Sequence, residues 1–316
     1  MCIQGTMASH PLCRERGDVT IVLSPANWLQ RRHQHQSRVR ALLGPYLQLR
    51  AGGTPHPVID FLFTYYRLTP TQLLRWHPGY GVTMAGQESS LYAHLRGYCR
   101  ADNGVTVDPR HLIKRSMAIE CVVRLLEATA NRPASLNCFG LHEWAMIYRS
   151  SPDEVRHRGV PLRLGHNGTD AVVESLPLRC THYDAFRFFA SLARPRNAVQ
   201  LTRETQIATE QPGCLHAGMD LYKFSAKLLP LLDSETLMDA FELAFLAREL
   251  DMRASPYDLS AFGYNAVRIE TPSGRAEYVQ RQASLSERSA GVRAALLTRC
   301  RELLQCATDL TAAGQP

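Results

Sequence analysis

The sequence predicts a mainly α fold with minor β hairpins, packed as a compact globular helical core. Three observations lead there. Apolar residues recur at helical spacing behind strong start signals, only two segments read as hairpins, and no strand-helix alternation of a parallel-sheet fold is present. A single globular domain is expected over 21–310, with residues 1–20 as a disordered tail and a soft sub-boundary near 151–160, where Ser-Pro-Asp-Glu and His-Arg-Gly loosen the pattern.

Ser24-Pro25 reads as an N-cap followed by proline in the first turn, and Trp28, His35, Val39, Leu42 and Tyr46 continue one helical stripe. After the Gly52-Gly53 break, 58–66 and 71–76 read as short helices around Pro70, and His77 to Gly81 must turn. Asp108-Pro109 starts a long helix to about Arg132, with Ile113, Met117, Cys121, Leu125 and Ala128 on its apolar stripe. Hairpins are expected where 162–164 and 171–173 flank His166-Asn167-Gly168, and where 267–270 and 276–279 flank Thr271-Pro272-Ser273-Gly274. Further helices are expected near 182–193, 214–229, 234–253 and 281–307.

The chain has 316 residues, 45% of them hydrophobic and 21% charged, ordinary values for a globular protein with a sizeable core. Pro11 and charged residues interrupt the N-terminus before any apolar run develops, and the most apolar segment, Val58 to Tyr66, contains Asp60. The expectation is therefore a cytoplasmic protein with no membrane partner. Nine cysteines lie without Cys-x-x-Cys spacing, which argues for reduced, mainly buried thiols rather than a thiolate zinc site. The net charge of +7 is unevenly spread. Residues 1–50 carry seven Arg against Glu15 and Asp18, while 201–260 carry ten carboxylates against five basic groups. A basic N-terminal arm including Arg31, Arg32, Arg38 and Arg40 offers a route to DNA, whereas the acidic half suits a cation or cationic substrate.

Five segments set His, Asp or Glu among bulky apolar residues, and buried ionisable groups are costly unless paired or metal-bound. They are His56 to Asp60, Leu141 to Trp144, Thr181 to Asp184, Glu210 to Asp220 and Asp251 to Asp258. His216 and Asp220 stand four apart and so share one helical face; they can ligate a metal together, pair as base and orienter, or tie the helix to a neighbour. Glu210 can curl back toward them across Pro212-Gly213, and His182 is a further ligand or acid–base candidate. Asp184 fits a helix cap after Thr181. His142 and Glu143 are adjacent and diverge around a helix, so one of them faces a site. The catalytic candidates are His216, Asp220, His182, Glu210, His142 and Asp258; His216, Asp220, His182 and Glu210 form the candidate metal set, suited to iron, manganese or zinc. Arg253 is a clamp for a substrate carboxylate or phosphate, or else a helix-end ion pair; Tyr257, Trp76 and His56 complete the candidate contacts to a small-molecule or nucleotide-like substrate.

Taken together, Pro55 to Tyr66, Arg75 to Gly79, Gly140-Leu-His-Glu-Trp-Ala145, Arg179-Cys-Thr-His-Tyr-Asp-Ala-Phe-Arg-Phe-Phe189, Glu210-Gln-Pro-Gly-Cys-Leu-His216 and Leu250 to Leu259 resemble an actinobacterial family commonly labelled 3-methyladenine DNA glycosylase. The resemblance runs from about Trp28 to the C-terminus. It implies DNA base excision, an N-glycosylase-type hydrolase activity in DNA repair, and supplies no catalytic assignment for these residues. The residues themselves read first as an enzyme with a buried His/carboxylate site, metal-dependent or acid–base, and a non-catalytic ligand-binding protein is the third alternative. Pro78 to Ala85 also resembles the Pro-Gly-apolar-Gly hairpin of helix-hairpin-helix glycosylases, with Asp102 near the offset of their catalytic aspartate. An ordinary Gly-rich turn is the alternative, because Gly97 to Ala101 lacks the expected apolar residues and 86–90 start a helix poorly.

Overall fold

A computed structural model describes residues 21–151 and 159–313. The expected N-terminal tail and most of the soft boundary near 151–160 lie outside the described residues. The mainly α class holds: among the described residues twelve α-helices accompany one four-stranded sheet. The helices are α1 (Pro25–Ala51), α2 (Asp60–Thr64), α3 (Pro70–Leu73), α4 (Ser90–Ala93), α5 (Pro109–Ala130), α6 (Leu141–Met146), α7 (Gly165–Ser175), α8 (Tyr183–Phe186), α9 (Gln206–Thr209), α10 (Leu215–Lys227), α11 (Ser234–Arg253) and α12 (Pro272–Ala313). No helix among the described residues is long and apolar enough to cross a membrane.

Local chemistry sets the main starts. Ser24 Oγ accepts from Asn27 N at 3.3 Å ahead of Pro25, Asp108 accepts from Arg110 N at 2.9 Å ahead of Pro109, and Asp233 accepts from Thr236 N at 2.7 Å. Each cap satisfies an amide that the first helical turn leaves unpaired. Helix α10 is buried on nearly every side and packs along α11, while α12 lies across α5, α10 and α11. That makes α10 the axis of the core, and its polar residues have no solvent face to retreat to.

The sheet, order β1-β2-β4-β3, is built from β1 (Ile21–Leu23), β2 (Val82–Met84), β3 (Tyr98–Ala101) and β4 (Gly104–Val107). β1 runs parallel to β2, and the other neighbours are antiparallel. Gly104 has φ +148°, and a Cβ there would stand 2.0 Å from Met84 O, so only glycine lets β4 approach β2 this closely. Trp28 Nε1 donates to Ala85 O at 3.0 Å and ties α1 to the end of β2.

Neither expected hairpin forms. Thr169, Val172 and Val173 are buried at helical spacing, so 165–175 is α7. Thr271 Oγ1 accepts from Gly274 N at 3.1 Å, which makes Thr-Pro-Ser-Gly the start of α12 rather than a turn. The β-structure lies instead in four strands that sequence reading passed over. The α5 stripe is also rotated: Leu125 is buried as expected, but Met117 is 77% exposed and Ile113 and Cys121 are exposed, whereas Leu112, Ile119, Val122, Val123 and Leu126 face the core. A strict four-residue spacing drifts around a 3.6-residue helix, and the buried set follows the mixed three-and-four spacing. The helix expected over 182–193 is the single turn α8.

The turn from His77 to Gly81 docks on the start of α11, with His77 N donating to Ser234 Oγ at 2.8 Å and Tyr80 N to Leu231 O at 2.9 Å. It then enters β2, not a second helix, and Asp102 sits exposed in the β3–β4 turn. The segment is thus the Gly-rich turn and not a helix-hairpin-helix. His77 Nδ1 lies 2.8 Å from Tyr98 Oη, and burial, aided by Arg75, holds its imidazole down to about 3. The unfolded chain protonates this histidine near pH 6.5 while the folded one does not, so stability is full above that pH and falls as pH drops toward 3, by roughly 1.4 kcal/mol per unit for one such group. His77→Gln is expected to flatten this acid limb. Denaturant titrations at pH 7 and pH 5 check it, and equal losses in both proteins would refute the assignment.

Candidate functional site

The core polar residues gather where α6, α8, α10 and α11 meet the segment around Glu210. Two groups of three place their donor atoms within 4.8 Å of one another: His142, His216 and Asp251, and His182, Glu210 and Asp220. The imidazoles connect them, with His216 set edge-on to His142 at 4.3 Å and stacked on His182 at 5.3 Å between ring centroids. His142 and Asp251 are on α6 and α11, His216 and Asp220 on α10, and His182 immediately precedes α8.

His216 and Asp220 therefore do not form the pair that their spacing suggested. A four-residue step turns the second side chain about 40° past the first. That offset takes His216 toward α6 and α11, and Asp220 toward His182 and Lys223. The expected metal set of His216, Asp220, His182 and Glu210 splits accordingly, with Asp251 as the ligand candidate that sequence reading left out.

The second group is already occupied by protein partners. Lys223 Nζ donates to Asp220 Oδ2 and, at 3.2 Å, to Asp184 Oδ2, while His182 Nε2 lies 3.2 Å from Asp220 Oδ2. Glu210 accepts from Gln206 Nε2 at 3.0 Å and from Thr129 Oγ1 at 3.4 Å. Burial alone would neutralise Lys223, but Asp220 and Asp184 overcome it and push the ammonium up to about 12. Burial likewise opposes the Asp220 carboxylate, and Lys223 and His182 hold it well below the usual range. Asp184, expected as a cap, is instead an ion-pair partner of Lys223 and of Arg203, the latter at 2.7 Å.

The first group is different. His142 Nε2 and Asp251 Oδ1 pair at 2.9 Å, and among the described residues neither atom has a hydrogen-bond partner outside that pair. The opposite carboxylate oxygen, Asp251 Oδ2, accepts from Arg248 Nη1 at 2.8 Å, and the same nitrogen donates to Glu143 Oε1 at 2.8 Å. His142 and Glu143, expected to diverge, thus enter one network through Arg248. Burial opposes the charge on His142, but Asp251 and Glu143 raise its pKa above the ordinary value. His216 is driven the other way, chiefly by burial and then by His142, and is neutral. A neutral imidazole is the form that binds a metal or accepts a proton.

His216 lines two small cavities. One, of about 20 Å³, is walled by Cys138, Cys180, Cys214, His142 and Tyr278; the other, of about 30 Å³, by Phe61, Tyr65, Glu143, Phe188 and Arg248. Each is large enough for about one water molecule. The thiols are unbridged, and burial pushes Cys180 up to about 12 and raises Cys138 and Cys214, so the first cavity is walled by protonated sulfur. The cysteines are not mainly buried as expected: of the seven described, only Cys214 and Cys300 are buried, Cys121 is exposed and the other four are intermediate, while Cys2 and Cys13 lie outside the described residues.

The remaining candidates stand apart from both groups. His56 Nδ1 accepts from Val58 N at 3.3 Å and Ile59 N at 3.2 Å, capping the approach to α2. Trp76 is buried, with Nε1 3.5 Å from Glu235 Oε1. Arg253 is the helix-end alternative, paired with Glu249 at 3.1 Å and donating to Asn265 O at 2.8 Å. Asp258 accepts from Ser260 N at 3.0 Å and, with Tyr257, borders a separate cleft. None of these five lines either cavity beside His216. In the expected basic arm, Arg38 is neutralised by Asp239 at 2.7 Å and Glu242 at 2.6 Å. Compared with known proteins, the chain matches no family model, no curated protein and no solved structure.

Proposed function

We propose that this chain is a metal-dependent enzyme whose first-row divalent cation is held by His142, His216 and Asp251. The observation that carries this reading is the contact between His142 Nε2 and Asp251 Oδ1. Two buried donor atoms that pair only with each other, beside a neutral imidazole whose donor lies within 4.8 Å of both, form a constellation that a cation can occupy in place of the His142 proton. Two imidazoles and one carboxylate are a donor set for iron, manganese or zinc, and three protein donors leave further positions for exogenous ligands. A bound cation supplies Lewis-acid activation of a small coordinated molecule, and the water-sized cavities beside His216 suit such a ligand.

The protein's own groups divide the remaining work. Arg248 orients Asp251 from the far side and offsets the charge of Glu143, as outer-shell partners of metal ligands do. His182, against Asp220 and stacked on His216, is placed to exchange a proton beside the centre. Elemental analysis of protein purified from medium supplemented with iron, manganese and zinc tests the reading. Near-stoichiometric metal is expected, and metal-free protein that keeps full turnover in chelator would reject it.

A further inference from the structure

The net charge of +7 is not explained by the paired arginines at Arg38, Arg163, Arg248 or Arg288. A cleft of about 290 Å³ near the C-terminal end of α10 gathers Arg75, Arg96, Arg115 and Lys227 together with His77 and His111, and among the described residues no carboxylate lines it. Among the described residues none of these four cations forms a salt bridge. On the cleft wall His111 Nε2 is buried with no hydrogen-bond partner. Burial first, then Arg115 and Arg96, hold the His111 imidazole below its ordinary range, so these charges converge on one place.

We infer that this cleft binds the phosphate groups of a small anionic ligand carrying at least two negative charges. Arg115 Nη2 donates to Lys227 O at 2.5 Å, but cations without a carboxylate partner around a concave surface repel one another, and that repulsion is relieved when a polyanion enters. Arginine forks match phosphate oxygens with two parallel hydrogen bonds, and a neutral His111 can add a donor at the wall. Lys227 lies eleven residues beyond His216 on α10, about 16 Å along the helix axis, so the site is separate from the His142, His216 and Asp251 centre. It does not rest on the metal reading.

Isothermal titration of the full-length protein with inorganic pyrophosphate at low salt tests the inference, using an Arg75→Ala, Arg96→Ala double variant. Both residues are exposed, so the variant is expected to fold normally. One-to-one binding to the wild type, weakened at least about tenfold in the double variant and unchanged in His216→Ala, is the expected result. Absence of binding, or equal binding by the double variant, overturns it. Loss in His216→Ala with retention in the double variant would place the ligand at the metal centre instead. Salt-sensitive binding of a short duplex oligonucleotide without pyrophosphate binding would make the cleft a nucleic-acid surface and overturn the small-ligand reading.

Discussion

Arg248→Ala is expected to lower the unfolding free energy by about 3–5 kcal/mol, the usual cost of removing one partner from a buried ion pair. Its side chain is 1% exposed and serves Glu143 and Asp251, whose side chains are 5% and 0% exposed. Alanine would leave two like charges in the core with their shared cation gone. It would also remove the stacking of the guanidinium over Phe61, 4.2 Å from the ring centroid. Chemical denaturation near pH 7 measures the loss. The gap to wild type should narrow in acid, because the abandoned carboxylates can then take up protons. A loss under about 1 kcal/mol would show that Glu143 and Asp251 have other adequate partners.

His216→Ala should reduce bound metal to less than about a tenth of the wild-type content while leaving the fold intact, since one of three donors is lost and the side chain is only partly buried. Asp251→Asn and His142→Ala should also empty the site, with a further loss of stability because each is paired in the core. His182→Ala is the comparison that separates the two donor groups, because its carboxylate neighbours keep Lys223, Gln206 and Thr129. Its metal content should stay near that of the wild type. Metal retained in His216→Ala and lost in His182→Ala would move the cation to His182, Glu210 and Asp220. Metal content by mass spectrometry and melting temperature by circular dichroism decide among these outcomes.

The parts of the fold legible in the sequence are those fixed by neighbours along the chain. Ser24-Pro25 and Asp108-Pro109 mark helix starts because cap and proline act within one turn. The three-residue strands β1 and β2 have no comparable local signal; each exists because a distant partner supplies the ladder. Thr271-Pro272-Ser273-Gly274 suits a turn and a helix start equally, and the Thr271 hydroxyl resolves it by accepting from Gly274 N. In the site, His142, His182, Glu210, His216 and Asp220 were visible as ionisable groups set in apolar sequence. Their grouping was not, because Arg248 and Glu143 meet across 105 positions and periodicity carries no information at that range. Asp251 was visible only as part of a helix-end cluster; that it faces α6 is a property of how α11 packs.

The central claim concerns which atoms surround the cation, and X-ray absorption at the metal edge of purified protein reports them directly. The account predicts two imidazole ligands with oxygen donors completing the shell, and the loss of one imidazole in any residual metal bound by His216→Ala. A shell of oxygen donors alone, or one with sulfur from Cys138, Cys180 or Cys214, would contradict it.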